Sequence, residues 1–169
     1  MHLPSVRRHR HEHGRSCFAR PRGFLNAAYG LCLDDGRLEE WPEFFVDDCL
    51  YQVIARENVD NGLPAAVMYC DSKGMLVDRV VALRRANVFP EHFSRHLISR
   101  AVLTGIDGDT VSAEASYALL QTRNDGETRI YNAGKYADRL LINDGVAKLV
   151  SRMCVYDTHR IATLLATPI

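Results

Sequence analysis

Apolar side chains recur at helical spacing in residues 72–86, just before the middle of the chain. Asp71 or Ser72 can cap the start of this helix, and its apolar face is formed by Leu76, Val80 and Leu83. After Pro90 the period changes to two, so residues 94–106 are typical of a strand. The pattern predicts a helix that packs across a sheet.

The C-terminal half alternates between apolar and polar positions. In residues 109–123 the apolar set falls on every second position: Val111, Ala113, Ala115, Tyr117 and Leu119. Asp-Gly pairs mark tight turns at residues 107–108, 125–126 and 144–145. We therefore predict a four-stranded antiparallel meander over residues 94–106, 109–123, 127–142 and 146–157.

The preceding part of the chain favours helices. A helix is predicted from Phe24 to the Asp34-Asp35-Gly36 turn, and residues 37–49 predict a shorter helical piece. Residues 49–57 and 65–70 are typical of strands, which a turn-rich loop separates. Helices followed by a long sheet predict an α+β fold.

The composition fits one globular domain. The chain has 169 residues, of which 47% are hydrophobic and 25% are charged, and no apolar run reaches the ~20 residues of a membrane helix. The formal net charge is zero, but residues 1–23 hold six Arg and one Glu and so carry +5. We predict a basic, disordered arm over residues 1–23 and a single domain over residues 24–169, with neither membrane nor nucleic acid as partner.

Two residue types that bind metals recur without a clear site pattern. In the arm, His9, His11 and His13 alternate and can hold a divalent metal, although the Arg content of this segment is also found in organellar transit peptides. The five cysteines form no C-x-x-C pair, and their number is odd. They are predicted to be reduced thiols of a cytoplasmic protein.

Four separated blocks of the sequence resemble one protein family. They read "LEEWPEFFVDDCLYQVIARENVDNGLP", "MYCDSKGMLVDRVVALRRANVFPEHFSRHLIS", "GKYADRL" and "CVYDTHRIATLLATPI". In this order they look like the beta (small) subunits of bacterial aromatic-ring-hydroxylating oxygenases, and most like those of enzymes acting on salicylate or anthranilate. The resemblance covers residues 24–169. It implies the nuclear-transport-factor-2-like (cystatin-like) cone, in which N-terminal helices pack on a strongly curved, largely antiparallel sheet.

The resemblance also implies a role in a complex. In that family the alpha subunit carries a Rieske [2Fe–2S] cluster and a mononuclear iron, while beta subunits carry neither and assemble with alpha, typically as three copies of each. This chain is thus expected to be a non-catalytic, structural subunit of an oxidoreductase that hydroxylates an aromatic acid with electrons from NAD(P)H. None of its cysteines begins a C-x-H, and His92 and His96 on a strand lie about 13 Å apart. We predict no cofactor in this chain.

A free-standing isomerase, dehydratase or small-ligand binder of the same fold class is the alternative. Such proteins place acid–base side chains in an apolar pocket, where burial moves their pKa toward neutrality. The candidate acid–base residues are Asp48, Tyr51, His96, Arg100 and Tyr117. No two of these residues stand at a sequence spacing that is characteristic of a catalytic motif, so a structural role is the simpler interpretation for each.

Other charged and aromatic residues are candidates for structural or interface roles. They are Arg79, Arg84, Arg95, Tyr136, Asp138 and Asp157. Arginines on a helix are usually solvated, but in a subunit that docks they can pair with acidic groups of a partner. Replacing Asp138 or Asp157 with alanine is predicted to impair assembly of the complex.

Overall fold

The computed structural model describes residues 24–86, 92–157, 165 and 167–169. Its helices are α1 (Leu25–Asp34), a 3₁₀ helix (Leu38–Phe44), α2 (Arg56–Asp60) and α3 (Lys73–Ala86). Its strands are β1 (Phe45–Ala55), β2 (Ala66–Cys70), β3 (His92–Ile98), β4 (Val102–Asp107), β5 (Thr110–Arg123), β6 (Thr128–Asn143) and β7 (Val146–Tyr156). The predicted arm and its histidines lie outside the described residues.

All the strands belong to one sheet with the order β2-β1-β7-β6-β5-β3, and β4 also pairs with β5. β1 and β7 run parallel, whereas the other pairs are antiparallel. The register shifts within most of these pairs, and such bulges bend a strand and increase its twist. The result is a curved, mostly antiparallel sheet with helices packed on it, which confirms the predicted α+β cone.

The core lies between the helices and the inner face of the sheet. α1 packs on β3 and on the 3₁₀ helix, and α3 packs on the 3₁₀ helix and β1. The predicted inner face of β5 is confirmed, because Val111, Ala113, Ala115, Tyr117 and Leu119 are all buried. The predicted apolar face of α3 is buried as well, at Leu76, Val80 and Leu83.

Local sequence signals set the ends of two helices. Ser72 caps α3, since its hydroxyl accepts a hydrogen bond from the backbone N–H of Met75 at 3.4 Å. The turn after α1 places Gly36 at a φ of 67°, which glycine adopts without steric cost. There the N–H of Arg37 donates to the carbonyl of Cys32 at 2.9 Å, and the chain turns toward the 3₁₀ helix.

The prediction of one continuous strand over residues 94–106 is wrong. The chain leaves β3 after Ile98 and enters β4 at Val102, and both strands pair with β5. Ser99 fixes this break, because its N–H donates to the carbonyl of Ser116 at 2.8 Å and its hydroxyl accepts from the Ser116 N–H at 2.9 Å. A side-chain hydroxyl thus replaces one contact of the strand ladder.

Two further boundaries differ from the prediction. β1 begins at Phe45, which pairs with Leu149 of β7, so the strand extends into the segment predicted to be helical. Residues 56 and 57, predicted to end a strand, instead begin α2 (Arg56–Asp60), and Gly62, with a φ of 65°, follows this short helix. None of the helices in the described part of the chain is long and apolar enough to cross a bilayer.

β7 passes very close to Gly134 in the middle of β6. A side-chain carbon at Gly134 would overlap the carbonyl oxygen of Val155 and lie 2.8 Å from the Cα of Tyr156. Gly134 pairs with Tyr156 on one side and with Tyr117 on the other. The absence of a side chain therefore allows three strands to approach one another at this bend.

Candidate functional site

A cavity of about 1150 Å³ lies between α1 and the wall formed by β3 to β7. Much of its lining is apolar, with Leu25, Ile98, Leu103 and the ring of Tyr117. Asp34, His96 and Arg100 are among the residues that add polar groups. The cavity thus combines apolar walls with a small number of polar side chains, as ligand sites commonly do.

Asp34 and His96 form a buried pair at this cavity. Asp34 is the last residue of α1, and its Oδ1 lies 2.6 Å from Nδ1 of His96 on β3. The same carboxylate accepts the backbone N–H of His96 at 2.9 Å. Both side chains are only 2% exposed, whereas the guanidinium of Arg95, 3.9 Å from the carboxylate, belongs to a side chain that is 59% exposed.

The pair determines which nitrogen of His96 remains available. A carboxylate can only accept hydrogen bonds, so in the neutral ring Nδ1 carries the proton and Nε2 is the acceptor. Nε2 is buried and has no hydrogen-bond partner among the described residues. In its neutral form the ring therefore presents an oriented, unpaired acceptor on a residue that lines the cavity.

Gly30 allows α1 to approach β3 at this point. A Cβ at Gly30 would lie 3.2 Å from the Cβ of His96 and 3.2 Å from the Cδ1 of Ile98, which is tighter than ordinary packing. Asp34 follows one helical turn later on the same side of α1. The glycine therefore helps to bring the carboxylate within reach of the imidazole.

A charged network lies deeper in the core. Arg152 is fully buried and donates from Nε to Asp138 at 2.9 Å and from Nη2 to the same carboxylate at 2.7 Å. Its guanidinium carbon lies 4.1 Å from the ring centre of Tyr29 and 4.2 Å from that of Tyr136. Nη2 also donates to the side-chain oxygen of Asn26 on α1, so one arginine links α1, β6 and β7.

Electrostatics explain how this arginine remains charged inside the core. Burial favours the neutral form of Arg152, but the Asp138 carboxylate outweighs that effect and holds the pKa of the guanidinium above its ordinary value. The two aromatic faces add cation–π attraction. The pair is therefore an ionic cross-link of the fold rather than a group poised to exchange protons.

A second polar cluster holds the end of the described chain. Tyr29 donates its hydroxyl to the carbonyl oxygen of Ile169 at 2.9 Å and accepts from the indole N–H of Trp41 at 3.0 Å. Tyr51 accepts the backbone N–H of Ile169 at 2.9 Å and donates to its carbonyl at 3.2 Å. These hydroxyls are used for structural contacts.

The structure brings three of the predicted acid–base residues, His96, Arg100 and Tyr117, to the cavity and leaves Asp48 and Tyr51 outside its lining. Asp48 is exposed on β1, and the buried Tyr51 binds Ile169. Tyr117 lines the cavity but donates its hydroxyl to Asn132 at 2.6 Å, and Arg100 is an exposed cavity residue. Of this set, only His96 brings an unpaired buried polar atom to the cavity, and its partner Asp34 was not among the predicted residues.

Two of the predicted interface residues are interior residues. Tyr136 is fully buried, and Asp138 is 5% exposed, because both point to the inner face of β6. Within the described chain both side chains contribute to the packing of the core. Only the other residues of that set, Arg79, Arg84, Arg95 and Asp157, are therefore placed to make an exposed contact with a partner.

The other four residues already make contacts within the chain. Arg79 donates to the carbonyl of Leu165 at 3.0 Å, and Arg84 pairs with Glu39 at 2.8 Å. Asp157 pairs with Arg56 at 2.6 Å, and both side chains are about half exposed. Arg95 remains the most exposed of the predicted arginines.

Within the described residues, no group of three or more His, Cys, Asp or Glu side chains is placed to hold a metal ion. His92 and His96 lie on the same strand, and His96 is engaged by Asp34. The four described cysteines, Cys32, Cys49, Cys70 and Cys154, are buried and free of disulfides. This part of the chain therefore does not fit an iron–sulfur cluster, which needs several Cys or His ligands around one centre.

Stability is expected to fall at alkaline pH. Burial raises the pKa of the Cys154 thiol from 9.0 to about 12, and burial also raises the pKa of Tyr51 and Tyr136 well above 10.0. The unfolded chain loses these protons near the ordinary values while the folded chain keeps them. These groups therefore leave the free energy of unfolding nearly unchanged well below pH 9.0 and lower it as the pH rises through that value, by up to about 1.4 kcal/mol per pH unit for each group.

Urea unfolding followed by circular dichroism across this range tests the expectation. Cys154→Ala should make the decline just above pH 9.0 shallower than in the parent chain. It should leave the contributions of Cys49 and Cys70, whose pKa values burial also raises, and the later contribution of the tyrosines. A midpoint that stays constant well above pH 9.0 would show that these groups ionise in the folded state.

Comparison with known proteins identifies the family. Residues 30–163 match the family described as ring hydroxylating beta subunit. The anthranilate 1,2-dioxygenase small subunit of Burkholderia cepacia is 44% identical over 138 residues, which cover 81% of this chain and 85% of that protein. The terminal oxygenase beta 2 subunit of terephthalate 1,2-dioxygenase from Comamonas sp is 37% identical over 145 residues, covering 86% of this chain and 94% of that protein.

Solved structures agree with this assignment. The beta subunit of a proposed aromatic-ring-hydroxylating dioxygenase from Novosphingobium aromaticivorans is 77% identical and superposes with a TM-score of 0.79, covering 86% of this chain and 92% of that chain. The beta subunit of benzoate 1,2-dioxygenase from Burkholderia mallei is 18% identical, has a TM-score of 0.65, covers 79% of this chain and 86% of that chain, and shares the fold. On these grounds the chain belongs to the family of ring-hydroxylating dioxygenase beta subunits.

Proposed function

We propose that this chain is the non-catalytic, structural beta subunit of a Rieske-type oxygenase that hydroxylates an aromatic acid. The observation that carries the proposal is the family match over residues 30–163. Relatives that are 44% and 37% identical are subunits of dioxygenases named for anthranilate and terephthalate, both of which are aromatic acids. An aromatic acid is therefore the substrate class proposed for the complex.

The redox centres are assigned to a partner alpha subunit. That subunit would carry the Rieske [2Fe–2S] cluster and the mononuclear iron, and this chain would hold it in a complex with three copies of each subunit. The absence of a three-residue metal cluster among the described residues supports the division of labour. We place the complex in the cytoplasm, because buried free thiols such as Cys154 suit a reducing compartment.

The outer face of β3, β5 and β6 is the surface that we assign to contact with the alpha subunit. The register places Phe93 beside Thr122, Arg95 beside Leu120, and Leu120 beside Ile130, so these side chains share one face. Phe93 is 70% exposed and Ile130 is 71% exposed. Exposed apolar side chains around an arginine are the composition of an interface core, and Arg95 is one of the predicted interface residues.

Co-expression with a gene for the alpha subunit of such an oxygenase tests the proposal. Tagged parent chain should purify as a large mixed complex with Rieske absorbance, measured by light scattering and visible spectroscopy, and the chain expressed alone should be colourless. Ile130→Lys should weaken association with the alpha subunit by at least about tenfold, because it places a charge in an apolar contact. The folded beta chain should keep its thermal midpoint, since Ile130 is exposed.

Leu63→Lys is the matched control. Leu63 is also apolar and 51% exposed, but it lies in the loop after α2, away from the assigned face. Its variant should assemble like the parent chain. Normal assembly of Ile130→Lys would reject the assigned face, and a parent chain that ignores the large subunit would reject the structural role itself.

A further inference from the structure

We propose that the cavity between α1 and β3 binds a small phenol, whose hydroxyl donates a hydrogen bond to Nε2 of His96. This inference goes beyond the structural role, because it gives the beta subunit a ligand of its own. It rests on three observations: an unpaired buried acceptor, a carboxylate that fixes its tautomer, and apolar walls around both.

The unpaired nitrogen is the strongest of these observations. Nearly all buried polar atoms in proteins have a hydrogen-bond partner, and leaving one unpaired costs stability. Among the described side chains that line this cavity, Nε2 of His96 is the buried polar atom that lacks one. Asn26 and Asp138, which also line it, are engaged by Arg152. A ligand would satisfy this unpaired atom once the side chains that cover it move aside, because Nε2 is fully buried in the ligand-free chain.

Asp34 specifies what kind of group the ligand must present. Because it holds the proton on Nδ1, Nε2 of the neutral ring accepts, and the ligand must donate. The negative charge of Asp34 disfavours a carboxylate placed directly on this ring, and the cationic Arg95 and Arg100 in the lining do not change the kind of group that the neutral Nε2 can bind. A hydroxyl group is the donor that fits, and an acidic phenolic hydroxyl donates a stronger hydrogen bond than an aliphatic one.

The walls specify the rest of the molecule. Leu25, Ile98, Leu103 and the Tyr117 ring offer apolar surface, and Tyr117 has already committed its hydroxyl to Asn132. The cavity volume of about 1150 Å³ is large enough for a ligand with two fused rings. A flat, apolar ring system that carries one hydroxyl therefore matches both the walls and the single open acceptor.

The experiment compares two probes on the purified full chain. One is 2-naphthol, a fluorescent photoacid whose emission moves to longer wavelength when its proton passes to a nearby base. The other is 2-methoxynaphthalene, which has the same rings and oxygen but no O–H. We expect saturable binding of 2-naphthol, with affinity about tenfold higher than for the methyl ether, the equivalent of one hydrogen bond to a buried acceptor. Long-wavelength emission from the bound naphthol would report transfer of its proton to Nε2.

Two variants assign the preference to the Asp34–His96 pair. His96→Leu should lower the affinity for 2-naphthol by about tenfold and leave the methyl ether unaffected, because only the hydrogen bond is lost. Asp34→Asn keeps the imidazole but offers an amide N–H to Nδ1, which moves the ring proton to Nε2. This variant should lose the preference and the long-wavelength emission, and it keeps the test available if His96→Leu fails to fold.

Asp48→Asn is the control for the loss of a carboxylate, since Asp48 is exposed on β1 and does not line the cavity. It should bind both probes like the parent chain. The proposal is overturned if the parent chain binds neither probe, binds both equally, or retains its preference in the folded Asp34→Asn variant. Because the isolated beta chain is measured, these outcomes are independent of whether it assembles with an alpha subunit.

Discussion

Replacing Gly134 with alanine is expected to destabilise the fold by at least about 3 kcal/mol, a large part of the stability of a domain of this size. The new methyl group would overlap the carbonyl oxygen of Val155 and come within 2.8 Å of the Cα of Tyr156. Both contacts are with backbone, which cannot rotate away as a side chain can. β7 must therefore move away from β6, which disturbs the pairing of Gly134 with Tyr156.

Urea unfolding of the variant measures this loss as a lower midpoint. Gly105→Ala is the matched control, because Gly105 is also a strand glycine, but the nearest atom to its added Cβ is the Cβ of Ser112 at 3.7 Å, an ordinary contact. The control should stay within about 0.5 kcal/mol of the parent chain. Similar midpoints for the two variants would show that the sheet relaxes around Gly134 without cost.

Replacing Asp138 with alanine is expected to cost about 3–5 kcal/mol. The substitution leaves the guanidinium of Arg152, which is fully buried, without the carboxylate that accepts two of its hydrogen bonds. The tyrosine faces on either side cannot replace that charge. Thermal and urea unfolding of the isolated chain measure the loss directly, and impaired assembly with the alpha subunit should follow from it.

Two comparison variants distinguish the cost of leaving Arg152 as an unpaired buried charge from the cost of removing an aspartate side chain. The double variant Asp138→Leu with Arg152→Met removes both charges and should recover most of the lost stability, because apolar side chains of similar size can replace a buried ion pair. Asp157→Ala breaks the exposed pair with Arg56 and should cost less than about 1 kcal/mol. If it nevertheless impairs assembly, Asp157 acts at an interface. A double variant as unstable as Asp138→Ala would refute the role assigned to the ion pair.

The elements that could be predicted from the sequence are those with a local signal. The alternation from Val111 to Leu119 identifies the buried face of β5 because the side-chain period of a strand is two. Ser72 marks the start of α3 for an equally local reason. The break between β3 and β4 contains no glycine or proline that would predict it from the sequence. It depends on the hydrogen bond from Ser116 to Ser99 across the sheet.

The site residues were harder to predict because their partners are distant in the chain. Asp34 and His96 are 62 positions apart, and only the packing of α1 on β3 brings them together. Arg152 was missed because an arginine in a strand is usually exposed. One local signal was present: Arg152 shares its parity with Cys154 and Tyr156, which are buried on the inner face of β7.

The parallel pairing of β1 with β7 has a consequence for the order of folding. Phe45 and Leu149 are partners in that pair, as are Ala55 and Tyr156, so this part of the sheet joins segments that are far apart in the described chain. During synthesis, β1 and β2 can pair early, but the other edge of β1 stays unsatisfied until β7 has left the ribosome. Such long-range closure is slow compared with local hairpin formation. The nascent chain therefore exposes an aggregation-prone strand edge for most of its synthesis, and a chaperone that covers β1 should raise the yield of folded subunit.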